Sequence, residues 1–241
     1  MAGPRKTPMA LPPVLCDDFI SFVLRHHEAP TTLIICSSRE AFLAELQTNI
    51  QQGYRESPPA SSNDGVPISL HPLLIPTIHL IAKSRSVNLV FVPTLPHLRA
   101  YLTTCAAPLN PVSSPSPPTK PGSQVPILAI WGLARLHRST AERSAQGLSR
   151  TVAAAVEAAS QAKQRLVLAE PSRTDDGNNY SDAEASDRVS GDAWKEHVPL
   201  LSGSVRFGGE DRAWAGKTIE VGRVVAKWCR FVKLDYEASD M

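Results

Sequence analysis

The chain has 241 residues, 42% of them hydrophobic, which suits one α/β domain with a sizeable core. With 25 basic and 23 acidic residues the net charge is only +2, so where the charges cluster says more than their sum. The four cysteines (Cys16, Cys36, Cys105, Cys229) form no CxxC pair, which argues against a disulfide framework or a zinc site and for a reducing compartment. No run of about 18 apolar residues marks a membrane span. Residues 1–15 lack the basic start and long apolar stretch of a signal peptide, so nucleus or cytosol is the expected location.

Residues 1–13 (MAGPRKTPMALPP) read as a disordered arm. From Asp17 to His26, the residues Phe19, Ile20, Val23 and Leu24 share one helical face, and Asp17 suits its cap. Leu33–Cys36 (LIIC) is a buried strand. Ser37 and Glu40 then have capping-box spacing and open a helix that carries Phe42, Leu43 and Leu46 to about Gln51. Residues 53–67 are an inserted loop by composition. Residues 72–84 are apolar and helical in pattern, with Pro72 in the first turn and Pro76 as a kink. A strand over Asn88–Val92 and a short helix over Thr94–Thr103 follow. Residues 107–124 are rich in proline and serine, as in a disordered insertion.

The stretch from Val125 to Pro171 organises the rest. Ile127–Trp131 is almost wholly apolar, as in a strand buried on both faces. Ala141–Lys163 is a long, alanine-rich helix, with Leu148, Val152, Ala155, Val156 and Ala159 at three- and four-residue steps. Leu166–Ala169 is a second buried strand, stopped by Pro171. Together they predict a βαβ unit. Residues 172–192 are polar and acidic, a third insertion that reads as a solvated linker, or else as a phosphorylation or partner tail, since Ser181 and Ser186 sit among acids. Val198–Phe207 and Thr218–Leu234 are β-branched and alternating, with a turn expected near Gly222 or Ala226–Lys227. The predicted fold is therefore α/β: a mostly parallel sheet flanked by helices, ending in an antiparallel C-terminal hairpin. One domain spans residues 14–241.

No complete catalytic motif emerges. Gly216-Lys217-Thr218 ends like a phosphate-binding loop, but the first glycine would fall at Asp211, and a strand-like segment rather than a helix follows. The strand Ile127–Ile130 ends in Trp131 and Gly132, where a nucleotide hydrolase needs an acid to hold magnesium. Glu170 is a lone carboxylate at the end of the next strand. The histidines share no metal-ligand spacing, although His71 and His79 lie about two helical turns apart. Neither a metal nor a cofactor is expected. Basic residues are more informative: Arg206, Arg212, Lys217, Arg223, Lys227, Arg230 and Lys233 interleave with Trp214, Trp228 and Phe231. Such a segment suits phosphate backbones and stacked bases, with residues 208–217 as the contact loop. It also suits a charged strand face that keeps a sheet edge from aggregating.

The segment ILAIWGLARLHRS, followed by GLSRTVAAAVEAA and RLVLAEP, resembles the second nucleotide-motif region of RecA-like recombinases. Leu136 and Arg138 match its turn, and Glu170 lies near its polar sensor. Trp131 and Gly132 replace its Asp-Ser pair. LIICSSREAFLAEL resembles the strand and helix after the missing phosphate loop, and WKEHVPLLSGSVRF with Lys217–Leu234 resembles the C-terminal hairpin region. The likeness covers about residues 30–235 and is specific only around 127–170. It implies a RecA-like core that has lost its ATP motifs. The group it is most similar to is the Walker-less recombinase paralogues of the Shu complex. That resemblance implies a non-enzymatic, nuclear, DNA-binding subunit that pairs with a RecA-like partner in homologous recombination and DNA repair. ATP-poor RecA-like subunits of Elongator, a tRNA-modification complex, are the alternative.

Overall fold

The computed structural model describes residues 7–26, 28–56, 71–105, 126–172, 192–201 and 217–232. Six parallel strands form one sheet, in the order β3 (Val87–Phe91), β2 (Glu28–Ile35), β4 (Pro126–Trp131), β5 (Arg165–Ala169), β1 (Met9–Ala10) and β8 (Arg230–Phe231). A separate antiparallel pair joins β6 (His197–Pro199) to β7 (Thr218–Glu220). The chain thus has the parallel, helix-flanked α/β architecture and the antiparallel hairpin expected of it.

Period-two alternation divides the sheet between two cores. Ile34, Leu128, Ile130, Leu166 and Leu168 face α4 (Leu95–Cys105), α5 (Leu133–Arg138), α6 (Ala145–Gln161) and α7 (Val221–Val225). Leu33, Ile35, Ile127, Ala129, Trp131, Val167 and Ala169 face α1 (Cys16–His26) and α2 (Arg39–Glu56). Short α3 (Ile78–Ser84) lies beside α1. Strands β4 and β5 are buried on both faces, which is why their sequences lack alternation.

Several boundaries differ from the sequence pattern. The expected arm at 1–13 contributes β1. Met9 and Ala10 pair with Val167 and Leu168 on one side and with Arg230 and Phe231 on the other. Ala10 and Leu11 are fully buried, and a segment this short carries no readable periodicity. Ser38, not Ser37, caps α2: its hydroxyl accepts from the Ala41 amide at 3.2 Å. That helix continues to Glu56, through Gly53 and into the expected loop. An interior glycine costs only about 1 kcal/mol and does not by itself end a helix.

Pro76 separates a 3-10 turn at Pro72–Leu74 from α3, so His71 and His79 stand on different elements rather than on one helical face. The apparent turn after Gly132 is α5. The long helix starts at Ala145, where the Ser144 hydroxyl accepts from the Gly147 amide at 3.0 Å. Residues 217–232 are not a hairpin in themselves, and residues 233 and 234 lie outside the described set. Val221, Val224 and Val225 have helical spacing, bury together as α7 and override their β-branched preference. Of the expected strand at 198–207, Val198 and Pro199 lie in β6, and residues 202–207 fall outside the described set. The expected insertions lie outside the described residues at 57–67, 107–124 and 173–191. Their margins Ser172 and Asp192 are held, by a backbone bond to Val14 and by capping of Trp194.

Of the glycines at 132, 147 and 222, Gly147 has the least room for a side chain. A Cβ built there would stand 2.3 Å from the Glu142 carbonyl oxygen. Gly147→Ala must therefore push the segment before α6 away from its first turn. It is expected to cost about 1–3 kcal/mol, read as a lower urea midpoint at unchanged slope.

Candidate functional site

Ligands of open parallel sheets bind at the carboxyl ends of the strands, so that edge is the first place to examine. Four strand-to-helix turns meet there: Leu11–Leu15 after β1, Cys36–Ser38 after β2, Val92–Thr94 after β3, and Gly132 after β4. Only the last contains glycine, and none has the composition of a phosphate loop. The β1–α1 turn carries Pro12 and Pro13, which have no N–H to offer, and α1 begins with Asp17 and Asp18. Two carboxylates at a helix start disfavour an anion there.

Trp131 ends β4 with a side chain that is 0% exposed and stacked on Phe19 at 5.0 Å between ring centres. Its indole nitrogen is buried and has no hydrogen-bond partner among the described residues. The volume at the end of this strand is thus filled by two aromatic rings. Gly132 then adopts φ +78°, a left-handed turn that suits glycine, and its N–H donates to the Ala169 carbonyl at 2.9 Å.

Glu170, fully buried, spans the start of α5. One carboxyl oxygen accepts from the Ala134 amide at 2.6 Å and the other from the Arg135 amide at 3.2 Å. Burial raises its carboxyl to about 7, opposed by those two backbone donors and by the charges of Arg135 and Arg138. Both oxygens are engaged in capping. Arg135 turns its guanidinium to Glu45 at 2.9 Å and so ties α5 to α2. Cys16 and Cys36 are buried nearby, and desolvation holds both thiols well above the ordinary range, where they are poor nucleophiles.

Two polar networks had no signature in the sequence. The Nδ1 of His71 accepts from the Leu73 amide, which leaves the proton on Nε2 to donate to Asp17 at 3.1 Å. Glu196 accepts from Arg138 and Arg143, each at 2.7 Å, and clamps the β6–β7 pair to α5. Their members lie 54, 58 and 53 residues apart, so no local spacing marks them. His137 is buried against the Thr151 hydroxyl at 3.1 Å, and desolvation lowers its pKa from the usual value.

The basic C-terminal residues divide. Arg206, Arg212 and Lys233 lie outside the described residues, as does most of the expected contact loop at 208–217. Lys217 precedes β7, Arg223 is in α7, Lys227 follows α7, and Arg230 is in β8. All four are exposed. Arg223 faces Glu220 at 3.6 Å; Lys217, Lys227 and Arg230 make no ion pair among the described residues. The interleaved aromatics are partly used inside the fold. The Trp228 indole donates to the Ser149 hydroxyl at 3.0 Å, and Phe231 meets Trp194 edge-on at 5.5 Å. They remain 39% and 40% exposed.

The stretch from α1 to Glu170, just past β5, contains both the strand ended by Trp131 and the carboxylate that caps α5. A model of the SPAC22G7.03-like family matches residues 14–176, well over half the chain. The chain belongs to this family. The matched region of this SPAC22G7.03-like protein begins just after β1 and ends just beyond the bridge between Val14 and Pro171. It leaves out the basic C-terminal segment. No curated protein matches the chain.

Proposed function

We propose that this protein is a non-catalytic, RecA-like scaffold that binds DNA and a RecA-like partner subunit in homologous recombination and DNA repair, in the nucleus. The observation that carries the reading is the aromatic plug at the end of β4: Trp131, stacked on Phe19, occupies the place where the resembling ATPases carry a metal-holding acid. The other groups at that edge point the same way, since Glu170 is committed to α5 and the β1–α1 turn offers prolines and acids to a phosphate. The exposed cations Lys217, Arg223, Lys227 and Arg230 support the nucleic-acid part.

Fluorescence anisotropy with single-stranded and forked DNA tests this, using the full chain alone and with the partner that co-purifies with it. The triple variant Lys217→Ala, Lys227→Ala, Arg230→Ala is expected to bind at least about tenfold more weakly, with a shallower salt dependence. Binding that ignores both salt and these substitutions would sink the nucleic-acid part. Co-purification with Elongator subunits rather than a recombination factor would transfer the scaffold to tRNA modification.

A further inference from the structure

The first and last described segments of the chain meet at one joint. Strand β8 has a single neighbour in the sheet, β1. The Arg230 amide donates to the Pro8 carbonyl at 2.9 Å, and the Val232 amide to the Ala10 carbonyl at 3.0 Å. The same N-terminal segment is anchored to the sheet on its other side. The Leu11 amide donates to the Leu168 carbonyl at 2.9 Å, the Val14 amide donates to the Glu170 carbonyl, and the Ser172 amide donates to the Val14 carbonyl. Residues 8–14 therefore stand between β8 and the rest of the sheet.

Trp194 closes this joint. It is buried, its indole N–H donates to the Leu11 carbonyl at 2.9 Å, and its ring meets Phe231 edge-on. Its backbone lies against α7, where a Cβ on Gly222 would stand 3.0 Å from the Trp194 carbonyl oxygen. One residue thus touches the N-terminal segment, β8 and α7.

Helix α7 has separate support. Val221, Val224 and Val225 share the core that holds Leu148 and Val152 of α6, and the Trp228 indole donates to Ser149. The exposed cations divide accordingly: Lys217, Arg223 and Lys227 go with β7 and α7, whereas Arg230 goes with β8 alone. Residues 8–11, Trp194 and β8 also fall outside the family match at 14–176.

We propose that residues 8–14 form a latch, with Trp194 as its positioning residue, that holds β8 on the sheet and so fixes Arg230 relative to Lys227. When the latch opens, β8 leaves the sheet and α7 stays. Its consequence for DNA rests on the nucleic-acid reading above. A cation already fixed in place loses less freedom on meeting a phosphate than one on a loose chain, so the latched form binds better.

Amide hydrogen exchange and DNA anisotropy on the full chain test this. Trp194→Phe keeps a ring against Phe231 and removes the donor to Leu11. It is expected to speed exchange at Arg230 and Val232 about fivefold, with Ile130 and Val224 unchanged. Ala10→Asp puts a carboxylate in a fully buried slot and should speed the same two amides further. Should that variant fail to fold by circular dichroism, Trp194→Phe carries the test. With single-stranded DNA, Trp194→Phe and Arg230→Ala should each weaken binding about threefold, and the double variant no more than either alone. Unchanged exchange at Arg230 and Val232, equal acceleration at Val224, or additive losses of DNA affinity overturn the proposal. If the wild type binds no DNA, the nucleic-acid reading falls, and the exchange pattern alone decides the latch.

Discussion

Trp131→Ala is expected to destabilise the fold by about 3–5 kcal/mol, a large share of the roughly 5–15 kcal/mol available to a domain of this kind. The side chain is completely buried, stacks on Phe19, and sits in the layer formed by Leu11, Phe19, Ile35 and Phe42. Its removal opens a void that β4, locked between β2 and β5, cannot close. Trp131→Asp is the more instructive change. It introduces the residue type that a nucleotide hydrolase carries, yet places a carboxylate in an apolar layer. The expected outcome is a loss of stability at least as large as that of alanine, and no magnesium-dependent ATP hydrolysis. Chemical denaturation followed by tryptophan fluorescence measures the first, and phosphate release the second. ATP turnover by the aspartate variant would show that the site lacks only an acid, and would overturn the reading that the two aromatic rings fill it.

Glu170 gives the second large effect, and one that depends on pH. Glu170→Ala leaves two backbone N–H groups at the start of α5 without their acceptors, and is expected to cost about 2–4 kcal/mol. Because burial raises the folded carboxyl to about 7, above its ordinary 4.5, the folded state holds the proton more tightly than the unfolded chain does. The stabilising contribution is therefore complete below pH 4.5 and is lost as the pH rises toward 7. Glu170→Gln cannot ionise. The wild type should thus lose roughly 2–3 kcal/mol relative to the glutamine variant between pH 5 and pH 8. Denaturation midpoints of the two proteins across that range test the sign. A flat difference would mean that Glu170 stays charged in the fold.

The central βαβ unit was readable because its signal is local: unbroken apolar runs at β4 and β5, and a three-to-four-residue period along α6. The fold class followed from the order of such signals. What escaped was specified across distance. Met9–Ala10 is a strand only because β5 and β8 flank it. Val221–Val225 is helical because Val221, Val224 and Val225 find a common core. At the candidate site, Trp131 at the end of an apolar strand was legible, but its partner Phe19 was not, since they lie on β4 and α1. The clamp of Arg138 and Arg143 on Glu196 had no spacing to betray it. The described part of the basic C-terminal run is exposed, while its aromatics are shared between the surface and the fold.

The position of β1 also orders events in time. This two-residue strand fits between β5, made more than 150 residues later, and β8, whose pairing residues Arg230 and Phe231 are later still. During synthesis, β2 to β5 can assemble while the start of the chain waits unpaired, and the slot for β1 has both walls only when β8 has left the ribosome. Contacts of such sequence separation form late because closing the long loop opposes them. Met9 and Ala10, made long before their partners, are thus among the last residues to be secured, and a ribosome stalled before Arg230 would hold a nascent chain with an unfinished sheet, open to chaperones.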